Sequence, residues 1–321
     1  MRATARAQPN IALIKYWGKS DVHRNLPAVG SISITLNTLY TTMSVDLGAA
    51  TPDDVLTVNG AEDTAMLPRI SRCLDTVCGQ DRPRARIESH CNFPIAAGLA
   101  SSASAFAALV VAADAVSGGA RERAELASLA GLASGSAARS LYGGFCELDC
   151  TGETITVCSL RAAAEWPLEV VVAVTEKGPK PTGSTEAMEI SRKTSPFYGR
   201  WVEQQEGDLA AARDAILKRD FEKLGEVAEH NCLKMHSVMW ASRPPLIYWN
   251  HATIECMHTV RELRGQGAGV FFTIDAGPQL KAVCLPEHTE RVRDALASTQ
   301  GVQDVMVSGL GSGARLVDGE V

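Results

Sequence analysis

Pro94-Ile95-Ala96-Ala97-Gly98-Leu99-Ala100-Ser101-Ser102-Ala103-Ser104-Ala105-Phe106 is the stretch from which the chain is best read. A glycine among small residues leads to two serines and then into Ala103 to Val116, which is almost entirely Ala, Val, Leu and Phe. A helix apolar all round is a buried one, and Gly118-Gly119 stops it. The start of such a helix carries unpaired backbone N–H groups and the positive end of the helix dipole, which together favour an anion. Side chains without bulk let a phosphate approach that backbone. Gly98, Leu99, Ala100, Ser101 and Ser102 are therefore candidate phosphate contacts, with the Ser102 hydroxyl a candidate Mg²⁺ ligand. There is no Gly-Lys-Ser/Thr ending, so this is not the Walker-type loop. The same composition also suits a tight strand-to-helix turn.

Upstream, Gln8 to Lys19 is a short apolar run with Lys15 at its end and Lys19 four residues on. Lysine is a flexible point charge suited to phosphate oxygens. The competing reading is two solvated lysines flanking a buried Tyr16-Trp17. Asp21 to Pro27 is a polar turn containing Asn25, and Ser31 to Leu36 alternates hydroxyl and aliphatic side chains, as a half-buried strand does. Tyr40 to Leu47, Val55 to Val58 and Ala85 to Ser89 read as strands and Leu67 to Val77 as a helix.

Downstream, Arg121 to Gly131 reads as an amphipathic helix. Ser134 to Gly144 follows as a second small-residue loop, and it holds Arg139. An arginine with so little bulk around it suits a bidentate grip on a carboxylate or phosphate. It also suits a surface position near a turn. Phe145 to Leu148, Ile155 to Leu160 and Val170 to Thr175 are expected strands closing the first half. The Pro/Gly-rich segment between Thr175 and Ser184 then marks a boundary, giving domains 1–178 and 179–321. The second half opens with helices expected at Thr185 to Ser191, Pro196 to Glu206, Asp208 to Arg219, Phe221 to Val238 and Asn250 to Arg264. His230, Lys234 and His236 do not share a face as a metal-ligand set would. Val270 to Pro278 is a buried aromatic strand ending in Asp275, with Ala-Gly-Pro forcing a turn. An acid placed there suits chemistry, or the cap of an Asx turn.

The totals narrow the class. The chain has 321 residues, and its 45% apolar content suits two domains with real cores. A net charge of -6 argues against a general nucleic-acid binder. No apolar run is long enough to span a bilayer, and no signal core follows the first residues. Nine cysteines without CxxC spacing read as reduced thiols, hence a cytoplasmic protein without a zinc site.

Taken in order, Asn10 to Lys19, Asn25-Leu26-Pro27, Ser31 to Leu36, Phe93 to Ser102, Ser134 to Gly144 and Asp275-Ala276-Gly277-Pro278 resemble the GHMP kinase superfamily. Lys-Tyr-Trp-Gly-Lys with Asp-Ala-Gly-Pro is similar to its mevalonate diphosphate decarboxylase branch. The resemblance implies an α+β chain with the GHMP kinase fold: a ribosomal protein S5 domain 2-like N-terminal domain and a ferredoxin-like C-terminal domain, with ATP, Mg²⁺ and substrate between them. It implies phosphorylation of the tertiary 3-hydroxyl of mevalonate 5-diphosphate, followed by loss of phosphate and CO₂ to leave isopentenyl diphosphate, in a cytoplasmic homodimer. Asp275 matches the acid that accepts or orients the hydroxyl proton, and Arg139 the arginine on the substrate carboxylate. Lys15, Tyr16, Asn25 and Ser136 match substrate positions. Ser101, Ser102, Ser134, Ser184 and Met188 match positions near the nucleotide. Gln279 departs from the asparagine that the family often has. Phosphomevalonate decarboxylase, mevalonate 3-kinase and a non-catalytic ligand sensor share the fold, and Arg69, Arg72 and Lys19 are candidates for the 5-phosphate end.

Overall fold

The structure, a computed structural model, describes residues 1–48, 51–93, 101–152, 154–178 and 181–317. The Ala-rich segment forms the helix Ser101–Val116, buried along most of its length. Its small side chains let it lie against the strands Arg2–Ala7 and Thr41–Leu47 and the helix Leu67–Cys78. Those strands belong to a six-stranded sheet. Its order is Arg315–Leu316, Arg2–Ala7, Thr41–Leu47, Ala85–Cys91, Val55–Val58, Ala61–Glu62. Every pairing is antiparallel except that of Val55–Val58 with Ala85–Cys91.

A second, antiparallel sheet runs Thr156–Arg161, Phe145–Asp149, Ser31–Thr35, Asn10–Ile14. Ser31–Thr35 is buried at every position because it is central and covered on both faces. Its hydroxyl face, expected to meet solvent, instead turns inward. A third sheet runs Val270–Ile274, Leu280–Cys284, Glu169–Val174, Asp304–Gly309. Lys19–Asp21 and Leu26–Pro27 form a small ribbon turning at Asn25, whose φ is 54°.

Three elements differ from the expectation. The strand near Val170 does not close the first half; Glu169–Val174 pairs with Leu280–Cys284 and Asp304–Gly309. By sheet membership Glu169–Val174 therefore goes with strands of the second half. A continuous apolar run fits either sheet, and the pairing partners decide. Arg2–Ala7, unread as a strand because its apolar face is alanine alone, lies inside the first sheet. Tyr198–Lys218 is one helix instead of two. A single mid-helix glycine such as Gly207 costs only about 1 kcal/mol, and the buried Trp201, Leu209, Ala212 and Ile216 outweigh it.

One core couples the halves. Ile11, Leu13, Ile32 and Ile34 pack in the same cluster as Val170, Val172, Leu224, Phe271 and Val283. That shared layer sets the end of Asn10–Ile14 beside the end of Val270–Ile274. Among the described residues no helix is long and apolar enough to cross a membrane.

Candidate active site

Asp275 is the first residue past the wholly buried strand Val270–Ile274. Its carboxylate faces two lysines. Lys15 Nζ lies 2.7 Å from Oδ1 and Lys281 Nζ 3.2 Å from Oδ2. The lysine side chains are 1% and 0% exposed and that of Asp275 24%, so of the three only the Asp275 side chain reaches solvent, while its Oδ2 is buried. Burial by itself would raise the affinity of this carboxyl for a proton. The two ammonium groups outweigh it and hold Asp275 far below the usual carboxylate range. The Asx-turn reading does not hold: the Gly277 N–H donates to the backbone oxygen of Asp275, leaving the side chain to the lysines.

Lys15 is held by its peptide as well as its head group. Its N–H donates to Asn231 Oδ1 at 2.7 Å, and its carbonyl accepts from Gln205 Nε2 at 2.7 Å. Asn231 Nδ2 donates in turn to Gln205 Oε1 and Asp208 Oδ2. Two helices of the second half, Tyr198–Lys218 and Phe221–Trp240, thus fix a residue of the first. Lys15 Nζ also donates to the Ala12 carbonyl at 2.9 Å. The solvated-lysine reading fails for both residues, Lys19 being 6% exposed.

Arg139 sits in the short 3₁₀ turn Ala137–Leu141 and is 2% exposed, which overturns the surface reading. Its Nε donates to Asn10 Oδ1 at 3.2 Å and its Nη1 to Ser31 Oγ. Asn10 Nδ2 donates to the Ser136 carbonyl and Ser140 Oγ, tying the turn to the strand. No carboxylate of the described residues forms an ion pair with Arg139. Burial lowers its proton affinity, and the charge of Asp275 opposes that. A buried cation without a counter-ion is costly, and a ligand carboxylate would relieve it.

The Tyr16 hydroxyl is buried and has no hydrogen-bond partner among the described residues; it packs so closely on Gly135 that a Cβ there would lie 2.8 Å from it. Ser134 Oγ donates to Ser102 Oγ at 3.4 Å, joining the two small-residue loops at the start of Ser101–Val116. Gly98, Leu99 and Ala100 lie outside the described residues. Asn25 Nδ2 donates to the Gly131 carbonyl at 2.8 Å. Ser184 begins the helix Ser184–Thr194, and Met188, one turn on, is a core side chain packed with Trp17, Trp201 and Met235. Lys19 Nζ donates to Thr185 Oγ1 at 3.4 Å, and burial, joined by the like charge of Arg69, weakens its hold on its proton. Arg69 lies over the Phe106 ring and donates to the Ala133 carbonyl, while Arg72 points to solvent. Among the described residues no group of three His, Cys, Asp or Glu could hold a metal.

A family model described as the diphosphomevalonate decarboxylase-like N-terminal domain matches residues 7–158, and one for the mevalonate 5-diphosphate decarboxylase C-terminal domain matches residues 170–313. The chain belongs to the diphosphomevalonate decarboxylase family. The diphosphomevalonate decarboxylase of Candida albicans is 34% identical over 297 residues, 86% of this chain and 82% of that protein. A crystal structure of mevalonate diphosphate decarboxylase from Staphylococcus aureus superposes with a TM-score of 0.93 at 35% identity, over 99% of this chain and 98% of that one. A structure of MDDEF in complex with MVAPP, AMPPCP and magnesium gives a TM-score of 0.91 at 33% identity, over 99% of both chains. The fold is accordingly the GHMP kinase fold that the resemblance implied.

For this decarboxylase family member, sequence reasoning missed Lys281, Asn10, Asn231 and Gln205 as parts of the site. Lys281 carried a signal: it is the one charge in the apolar run Leu280 to Cys284. The other three are neutral amides whose partners lie far along the chain. Gln279 supports the turn: its Oε1 accepts from the Thr175 N–H at 2.6 Å, and its Nε2 donates to the Glu176 carbonyl.

Proposed function

We propose that the chain catalyses the ATP-dependent decarboxylation of mevalonate 5-diphosphate to isopentenyl diphosphate, with ADP, phosphate and CO₂, through phosphorylation of the 3-hydroxyl. The observation that carries this reading is the pair of groups at the meeting of the two halves: an acid with a part-exposed side chain held as an anion, and a buried guanidinium with no ion-pair partner among the described residues. The first suits a hydroxyl, the second a substrate carboxylate. That a similar protein binds MVAPP, AMPPCP and magnesium together supports it.

In this reading Asp275 accepts a hydrogen bond from the tertiary hydroxyl and orients its oxygen toward the γ-phosphorus of ATP. A carboxylate with so low a proton affinity is a poor base toward an alcohol. It takes the proton late, as the new O–P bond forms and the P–O bond to ADP breaks. Lys15, behind it, offsets the negative charge gathering there. Arg139 holds the substrate carboxylate in line. When the C–C bond to that group breaks, its electrons form the new double bond and the C–O bond to phosphate opens. Asp275 then returns its proton to solvent.

Ser101, Ser102 and Ser134 would hold the nucleotide phosphates at the start of Ser101–Val116, since a helix start favours an anion. Mg²⁺, when bound, neutralises triphosphate charge. With no acidic cluster among the described residues, phosphate oxygens and the Ser102 hydroxyl are its ligands in this reading. Tyr16, Asn25, Ser136, Lys19 and Arg69 would line the substrate end, with Ser184 and Met188 on the nucleotide side. A cytoplasmic homodimer belongs to the same reading, and sedimentation tests it.

Release of CO₂ and ADP with mevalonate, its 5-phosphate and its 5-diphosphate decides among the relatives on this fold. Equal release of both with the diphosphate alone is expected. Turnover of the monophosphate alone would indicate phosphomevalonate decarboxylase, ADP without CO₂ mevalonate 3-kinase, and neither product a ligand sensor.

A further inference from the structure

The strand Leu280–Cys284 is buried at every position, yet its second residue is a lysine. Lys281 pairs across the hairpin with Thr273, two residues before Asp275, and its ammonium lies 3.2 Å from Asp275 Oδ2. Burying an ammonium among Leu280, Ala282 and Val283 is costly unless it is paired. On the other side Lys15 takes Oδ1 at 2.7 Å. Two cations gripping different oxygens, one from the end of Asn10–Ile14 and one from Leu280–Cys284, stop the carboxylate from turning about its Cβ–Cγ bond.

We infer that Lys281 is a positioning residue of the reaction, holding the buried Oδ2 of Asp275 while Lys15 holds Oδ1, so that the carboxylate stands as an oriented anion for the substrate hydroxyl. This rests on the reading of Asp275 given under Proposed function. The groups acting on the carboxylate are Lys15 and Lys281 from the strands, Arg139 from the 3₁₀ turn, and Cys232 and His236 from the helix Phe221–Trp240. Burial raises the Cys232 thiol and lowers His236 to about 3, so neither carries charge near neutrality. The charges that keep Asp275 ionised are therefore the two lysines and Arg139. Removing Lys281 raises the proton affinity of Asp275.

The test compares Lys281→Met with the wild-type chain by kinetics, pH–rate profile and thermal unfolding. Turnover is expected to fall by about 10²-fold, with KM for MgATP and for mevalonate 5-diphosphate within about threefold. The acid limb of kcat is expected to move up by about one pH unit or more. A lowered Tm with unmoved kcat and pH profile means that Lys281 only fills the core, and overturns the inference. If Lys281→Met does not fold, the comparison is Asp275→Asn against Asp275→Asn/Lys281→Met. The double variant is expected to have the higher Tm, since it removes an ammonium whose Asp275 charge partner the first substitution neutralises; an equal or lower Tm overturns the clamp. Full turnover by Asp275→Asn would sink the reading of Asp275 as well. An inactive Asp275→Asn beside an unmoved Lys281→Met profile sinks this inference alone.

Discussion

The ammonium of Lys15 and the carboxylate of Asp275 lie 2.7 Å apart, although 260 residues separate them along the chain. The contact joins the edge strand of one sheet to the edge strand of another, so the site exists only when both halves are folded together. Lys15→Met should lower kcat by about 10²-fold through misplacement of the acid. Steady-state kinetics check it, with circular dichroism to establish folding; wild-type turnover in a folded variant would contradict the role.

Arg139 donates to Asn10 and Ser31 through separate nitrogens of one planar group. Lysine keeps the charge and loses the fork. Arg139→Lys should reduce kcat/KM for CO₂ release by about 10²-fold. Product assays read this directly, and near-normal values would remove Arg139 from substrate binding.

Stability at acid pH should depend on Asp54. Arg82 meets both of its oxygens, at 2.9 and 2.5 Å, and the Ala85 N–H adds a third bond. Burial pushes this carboxyl up, but bonds from Arg82, Ser71 and Ala85 prevail and hold it at about 2. The stabilisation is therefore complete above the ordinary carboxylate value near 3.9 and is lost as pH falls toward about 2. At neutral pH Asp54→Asn should cost about 3 kcal/mol. Urea unfolding of the two proteins should converge on acidification, and a constant gap would refute the assignment.

His236 also favours its deprotonated form in the folded state, but here that form is the neutral one. Burial lowers it from 6.5 to about 3, and Trp249 Nε1 donates to its Nε2 at 3.2 Å. Below 6.5 the unfolded chain takes up a proton that the folded chain refuses. Stability should then fall by about 1.4 kcal/mol per pH unit from this residue. His236→Phe should flatten that part of the curve, which chemical unfolding at several pH values will show.

Much of this was legible in the sequence where chemistry and local pattern coincide. The Ala-rich helix, the strand into Asp275 and the Arg139 loop all declare themselves through composition. What stayed hidden depends on who packs against whom. Nothing local to Glu169–Val174 says which sheet it joins, and Arg2–Ala7 has too little apolar bulk to stand out. Lysines read as solvated when taken alone; only tertiary contacts, Asp275 for Lys15 and Thr185 for Lys19, explain why both are buried. The amides of Asn231 and Gln205 matter because they reach the peptide of Lys15, a contact with no signature in either segment.

The most direct measurement is simultaneous CO₂ and ADP release by wild-type protein and Asp275→Asn, with mevalonate 5-diphosphate and MgATP. Asp275→Asn is expected to fold and to bind both ligands while kcat drops by about 10³-fold or more. Turnover of both products at the wild-type rate in that variant would contradict the account.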